Sequence, residues 1–208
     1  MGGWPGHSPH KGVEIFAPWL ETLGYEVHVS DTLDTYLNKP LMSSLDLVVP
    51  IWTQGLISPE QERGLLDAVA NGTGIAGWHG CMGDSFRAST NYQFMVGGQW
   101  VAHPGRIIDY NVNIAKLDDP ITAGLSDFMV NTEQYYMHVD PTNEVLATTT
   151  FIGDQAIDPQ VAPYPCPWIA GAVMPVAWKR RWGEGRVFYC SIGHKPDDLE
   201  VPEVMEML

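Results

Sequence analysis

Between residues 13 and 23 the apolar side chains Val13, Ile15, Phe16, Trp19, Leu20 and Leu23 recur every three or four positions. That spacing belongs to one face of a helix, and Gly24 ends it. Residues 25–30 alternate as a strand does, and residues 45–52 form the continuous apolar run of a strand buried on both faces. Ser58 then offers an N-cap, Pro59 suits a first helical turn, and residues 59–71 read as a helix. Residues 74–79, Gly-Ile-Ala-Gly-Trp-His, read as another buried strand. Strands alternating with amphipathic helices predict α/β architecture around a mainly parallel sheet.

Beyond residue 86 the pattern loosens. Strands are predicted at 110–115, 144–151, 174–182 and 186–192, with Trp182-Gly183-Glu184-Gly185 as a hairpin turn between the last two. The sheet therefore gains antiparallel strands at its C-terminal edge. Residues 154–167 hold four prolines and little periodicity, the composition of an irregular surface insertion. The chain opens on a glycine-rich loop where a doubly wound sheet has its first strand, and it stops at Leu208 inside an apolar helical pattern. Both features predict a single domain over 1–208 that lacks its first strand and the end of its last helix.

Charge narrows the partners. With 11 basic and 25 acidic residues, a formal net charge of −14, the chain repels phosphate, and nucleic acid is not an expected partner. Hydrophobic residues at 45% and charged ones at 17% suit a globular core. Three widely spaced cysteines, Cys81, Cys166 and Cys190, give no disulfide framework and fit a reducing compartment. No apolar run approaches the ~18 residues of a membrane span. A cytoplasmic protein with no membrane partner is the expectation.

In open α/β sheets the ligand site lies beyond the carboxyl ends of the strands, and the histidines sort by that rule. His7 lies in the opening loop, His79 ends the central strand, His138 follows a tyrosine-rich stretch and His194 follows the last strand. His103 sits in a His-Pro-Gly turn. Such imidazoles can line a pocket that holds a metal or moves protons, or they can merely cap loop backbone. No HExxH or CxxC spacing exists, so a metal site would be assembled from distant loops.

Gly77-Trp78-His79-Gly80-Cys81-Met82-Gly83-Asp84 resembles a nucleophile elbow, whose apex residue needs small flanks. With Cys81 at the apex, the bulky His79 would occupy a flank. With His79 at the apex, Gly77 and Cys81 are both small, so sterics favour His79. Asp84 can cap the next helix or face the pocket. Glu133-Gln134-Tyr135-Tyr136-Met137-His138-Val139-Asp140 brings acid, imidazole and aromatic faces together, which suits a sugar and equally suits a core edge strand.

These segments, with Gly2-Gly3-Trp4-Pro5-Gly6-His7, Gly97-Gly98-Gln99-Trp100-Val101-Ala102-His103-Pro104-Gly105 and Gly193-His194, resemble the ThuA family of trehalose-utilisation-like proteins. The resemblance implies a three-layer, flavodoxin-like, class I glutamine-amidotransferase-like fold with a modified elbow and a mostly parallel sheet. It also implies disaccharide or keto-sugar metabolism. The family elbow usually reads His-Gly-Gly, so Cys81 replaces a glycine, and with Trp78, His79 and Gly80 before it no glutaminase is expected.

The expected function is thus a sugar-modifying enzyme, with a non-catalytic sugar-binding or accessory protein as the alternative. One of His79, His138 or His194 would act as base, with Asp84 or Glu133 as partner acid. Trp4, His7, Trp52, Thr53, Gln54, His103 and Tyr136 would bind substrate. His7, His79 and His194 would hold a divalent metal, zinc first; no nucleotide is expected. The partner is a small-molecule carbohydrate, and self-association into a homo-oligomer is left open.

Overall fold

The first elements of the computed structural model, which describes residues 1–208, are β1 (Gly2–Gly3), a helical turn over Pro5–His7 and α1 (Pro9–Thr22). A second helical turn (Leu33–Leu37) and α2 (Lys39–Met42) lead into β2 (Leu47–Val48) and β3 (Trp52–Thr53). Next come α3 (Pro59–Ala70), β4 (Gly74–Trp78), α4 (His79–Gly83), α5 (Thr90–Val96), β5 (Gly98–Ala102) and β6 (Ile107–Ile114). The chain continues through β7 (Phe128–Glu133), β8 (Tyr136–Val139), β9 (Glu144–Thr150), β10 (Ala156–Asp158) and β11 (Ala162–Pro165). It closes with β12 (Val173–Trp182), β13 (Gly185–Cys190) and α6 (Pro202–Met207). No helix is long and apolar enough to cross a membrane.

Seven strands form one sheet in the order β2-β4-β13-β12-β9-β6-β7. Only β2–β4 and β4–β13 pair in parallel, while β13–β12, β12–β9, β9–β6 and β6–β7 are antiparallel. The expectation of a mostly parallel sheet is therefore corrected to a mixed sheet. The physical reason lies in the later strands, which carry the in-and-out alternation of antiparallel sheets with one solvated face. In β7, Met129 and Asn131 are exposed between buried Phe128, Val130 and Thr132. The tightest reversal is the predicted one: Trp182 pairs with Gly185, and Gly183 supplies a φ of +58° in the two-residue turn.

Local signals account for the helices. Ser58 and Gln61 form a reciprocal capping box at the start of α3, and Pro59 occupies its first position. The middle of α1 packs Phe16 against Trp78, with ring centroids 4.6 Å apart, so the helix predicted from residues 13–23 seals the back of β4. The largest apolar cluster joins α3 and α5 to the sheet through Leu65, Val69, Tyr92, Met95, Trp178 and Tyr189.

Four other expectations are corrected. Residues 25–30 form no strand, because no neighbouring backbone completes a ladder with them. The run 45–52 divides into β2 and β3 around Pro50, which lacks the N–H that a continuous ladder needs. The insertion 154–167 contains the hairpin β10–β11. Finally, Gly2 and Gly3 are not a loop: they pair in parallel with Trp52 and Thr53.

Candidate functional site

His79 sits where β4 breaks into α4, at a φ of +44°. A non-glycine residue there carries strain of order 1–3 kcal/mol, tolerated only where the surroundings fix it. Here they do. The ring is fully buried, its Nδ1 lies 2.8 Å from the Ser191 carbonyl beyond β13, and the Tyr189 hydroxyl donates to the His79 carbonyl at 3.1 Å. The apex expected from the small flanks Gly77 and Cys81 is thus occupied by the imidazole.

Three further segments converge on that ring. His7 ends the turn over Pro5–His7, and its Nδ1 lies 2.8 Å from Thr53 Oγ1, so the β1–β3 pairing aims it inward. Glu133, the last residue of β7, places Oε2 3.1 Å from His79 Nε2 and 3.2 Å from His194 Nδ1. His194 arrives from the loop after β13, and the three imidazole centroids lie 4.8 to 5.4 Å apart. One ligand atom from each of His7, His79, Glu133 and His194 falls within 4.8 Å of the others, the spacing at which a single metal ion could be held. Gly80 makes the room: a Cβ there would stand 2.4 Å from His7 Cε1.

The electrostatics of this group oppose one another. Burial pushes the His7 imidazole down to about 3, helped by the neighbouring rings of His79 and His194. Burial also lowers His79, against the pull of Glu133. For Glu133, burial works to raise the carboxyl, but the edges of His194 and His79 overcome it and hold the group far below the usual carboxylate range. A charged carboxylate therefore faces a His79 imidazole that burial keeps neutral. Because Ser191 accepts the Nδ1 proton, a neutral His79 turns the lone pair of Nε2 toward Glu133. His194 Nδ1, buried and without a hydrogen-bond partner, approaches the same oxygen.

Other residues singled out in the sequence take different places. Trp4 is 43% exposed and meets the His7 ring edge at 4.8 Å. Trp52 packs under Gly2 with Nε1 buried and unpaired. Gln54, at a φ of +59°, donates its backbone N–H to the Asp84 carbonyl at 2.8 Å. His103 Nε2 stands 3.8 Å from Glu133 Oε1.

Asp84 caps no helix N-terminus and does not enter the cluster, because Arg87 clamps it through two hydrogen bonds of 2.6 and 2.8 Å. His138 is exposed on β8, and Tyr136 packs against Phe151, so neither joins the group. The residue missed in the sequence is Tyr135, stacked on His79 at 4.1 Å with its hydroxyl 2.8 Å from Nε2.

Cys81 lies buried beneath this layer, its thiol pushed up to about 12 by burial. A thiol that stays protonated is a wall, not a nucleophile. Replacing it by Cys81→Gly is expected to leave zinc affinity within a few-fold of wild type, measured by chelator competition. Complete loss of binding would assign the sulfur a direct part.

Fold and site together define an α/β protein with a histidine and carboxylate centre built from the carboxyl ends of β4 and β7, the loop after β13 and the opening turn. The chain belongs to the ThuA family, trehalose utilisation, which it matches over residues 1–208. No curated protein sequence matches the chain. Among solved structures, a ThuA-like protein from Bacteroides uniformis ATCC 8492 superposes with a TM-score of 0.75 at 13% identity, covering 100% of this chain and 84% of its own. A ThuA-like protein from Parabacteroides merdae ATCC 43184 gives a TM-score of 0.55 at 19% identity, over 72% of this chain and 60% of that one. The cytoplasmic protein STM1381 from Salmonella typhimurium LT2 gives 0.56 at 12% identity, over 88% and 78%. At these identities the likeness is one of fold.

Proposed function

We propose that this protein is a cytoplasmic enzyme of carbohydrate metabolism that acts on a disaccharide or keto-sugar at a divalent metal, zinc first, held by His7, His79, Glu133 and His194. The observation that carries this reading is the meeting of His79 Nε2 and His194 Nδ1 at one carboxylate oxygen, 3.1 and 3.2 Å away. Without a cation, a buried carboxylate stands beside the His79 Nε2 lone pair with no proton between them. With one, they become its ligands, and imidazole nitrogen and carboxylate oxygen are the donors zinc favours. Thr53 beneath His7 and Ser191 beneath His79 supply the outer contacts that fix ring orientation at metal sites.

Such a metal polarises a carbonyl or hydroxyl oxygen of the substrate. The chain's own groups do the rest. Trp4 offers a half-exposed flat face to the CH side of a sugar, and Trp52, Thr53, Gln54 and His103 are the further residues this reading assigns to substrate binding. Membership of the trehalose-utilisation family supports the substrate class. A small carbohydrate is the only partner this reading requires, with no nucleotide.

The test is metal analysis of chelated and zinc-loaded protein, followed by turnover of trehalose, its 3-keto form and related glycosides by both preparations. About one tightly held zinc per chain, as for a three- or four-ligand site, with turnover only in the loaded form, is the expected outcome. Protein that retains no zinc sinks the metal reading; zinc retention with binding but no turnover of any glycoside favours the sugar-binding alternative.

A further inference from the structure

We infer that Tyr135 is a substrate-facing hydrogen-bond donor whose hydroxyl is released when a metal takes the His79 Nε2 lone pair. This inference rests on the metal reading above and adds a residue to it. In the structure the phenol hydroxyl lies 2.8 Å from His79 Nε2, and because Nδ1 gives its proton to the Ser191 carbonyl, the tyrosine O–H donates and Nε2 accepts. An imidazole nitrogen has one in-plane lone pair. A metal and the tyrosine proton are therefore exclusive occupants of it.

Geometry determines where the freed hydroxyl goes. Tyr135 is buried and its ring is stacked on His79 with centroids 4.1 Å apart and planes 27° apart, so the side chain stays in place when the bond is lost. Its oxygen lies 3.1 Å from the point a Cβ would take at Gly80, a point that the His7 ring edge already crowds at 2.4 Å. The O–H thus stays at the edges of two of the proposed ligands, His7 and His79, where a substrate oxygen on the ion would come within its reach. A sugar oxygen polarised there would receive its hydrogen bond, the arrangement by which preorganised donors stabilise developing negative charge. No covalent step is assigned to Tyr135.

The experiment uses Tyr135→Phe, which keeps the stacked ring and removes only the hydroxyl. With zinc as the probe, Tyr135→Phe is expected to bind about 3- to 10-fold more tightly than wild type, because a competing hydrogen bond worth ~0.5–1.5 kcal/mol is gone. Zinc should also produce a near-ultraviolet tyrosine difference signal in wild type that the variant lacks. On whichever glycoside the wild type turns over, the variant should lose about 100-fold or more in kcat with KM little changed, the usual size for one lost donor.

Wild type that binds no zinc overturns the metal reading and this inference with it. Zinc-binding wild type with a variant of equal or weaker affinity, or with the same tyrosine signal, overturns only the role of Tyr135.

Discussion

The Glu133→Gln protein is expected to lose about 100-fold or more in zinc affinity, beyond the 10–100-fold typical of outer-shell changes, while its apo form melts at or above the wild-type temperature. The two halves of this result come from the same contact. In the apo protein the carboxylate oxygen faces the Nε2 lone pair of His79 across 3.1 Å and His194 Nδ1 across 3.2 Å. An amide of the same shape removes the buried charge that stands beside the Nε2 lone pair, which already accepts the Tyr135 hydroxyl at 2.8 Å, so the opposition disappears at little cost in shape. The same replacement removes the only anionic ligand of the set, and with it the charge neutralisation a divalent ion needs. Thermal unfolding with and without zinc checks both halves. A variant that melts well below wild type in the absence of metal would show instead that Glu133 and a protonated His79 form a stabilising ion pair, and the lone-pair argument would fail.

Replacing Trp178 with alanine should cost about 3–5 kcal/mol, the range for large aromatic truncations in a core. At roughly 2–4 °C per kcal/mol for a chain of this size, that lowers the melting temperature by roughly 6–20 °C. Trp178 has no exposed surface, its ring lies 4.5 Å from that of Tyr189, and its Nε1 donates to the Val96 carbonyl at 2.9 Å. The truncation therefore opens a cavity at the centre of the largest apolar cluster and strands a buried acceptor at the end of α5. A smaller drop, measured by denaturant or heat, would mean that α5 relaxes into the gap.

Local devices were legible in the sequence because their chemistry is local. The capping box of α3 and the glycine turn between β12 and β13 each sit within a few residues. Residues 25–30 have the alternation of a strand, but a strand is defined by the neighbour that completes its ladder, and alternation says nothing about neighbours.

The site was half legible for a related reason. His7, His79 and His194 follow from the rule that strand ends carry chemistry, and the structure brings them together. In the stretch from Glu133 to Asp140 the residue types alone single out His138 and Tyr136 and pass over Tyr135. In the structure Glu133, Tyr135 and Met137 share one alternating face and are buried, while Tyr136 is half-buried and His138 exposed. Counting by twos from Glu133 selects Tyr135, so the alternation held the signal that residue type alone did not. Asp84 shows the complementary limit: its clamp is Arg87, three residues away, yet nothing in the spacing says that this pairing outcompetes the pocket.

The proposed ligands come from residues 7, 79, 133 and 194, nearly the full span of the chain. Bringing such distant points together is the slow, entropically costly part of folding, whereas the β12–β13 hairpin closes over a two-residue turn and needs none of them. The centre is therefore complete only once both ends of the chain have come in, and an ion held there acts as a clasp on the finished structure. Because it engages the native state and not the open chain, it adds roughly 4 kcal/mol at a thousandfold excess over its dissociation constant. That stabilisation falls on the tie between the His7 segment and the loop after β13, so hydrogen exchange at the chain's opening turn would report occupancy of the centre.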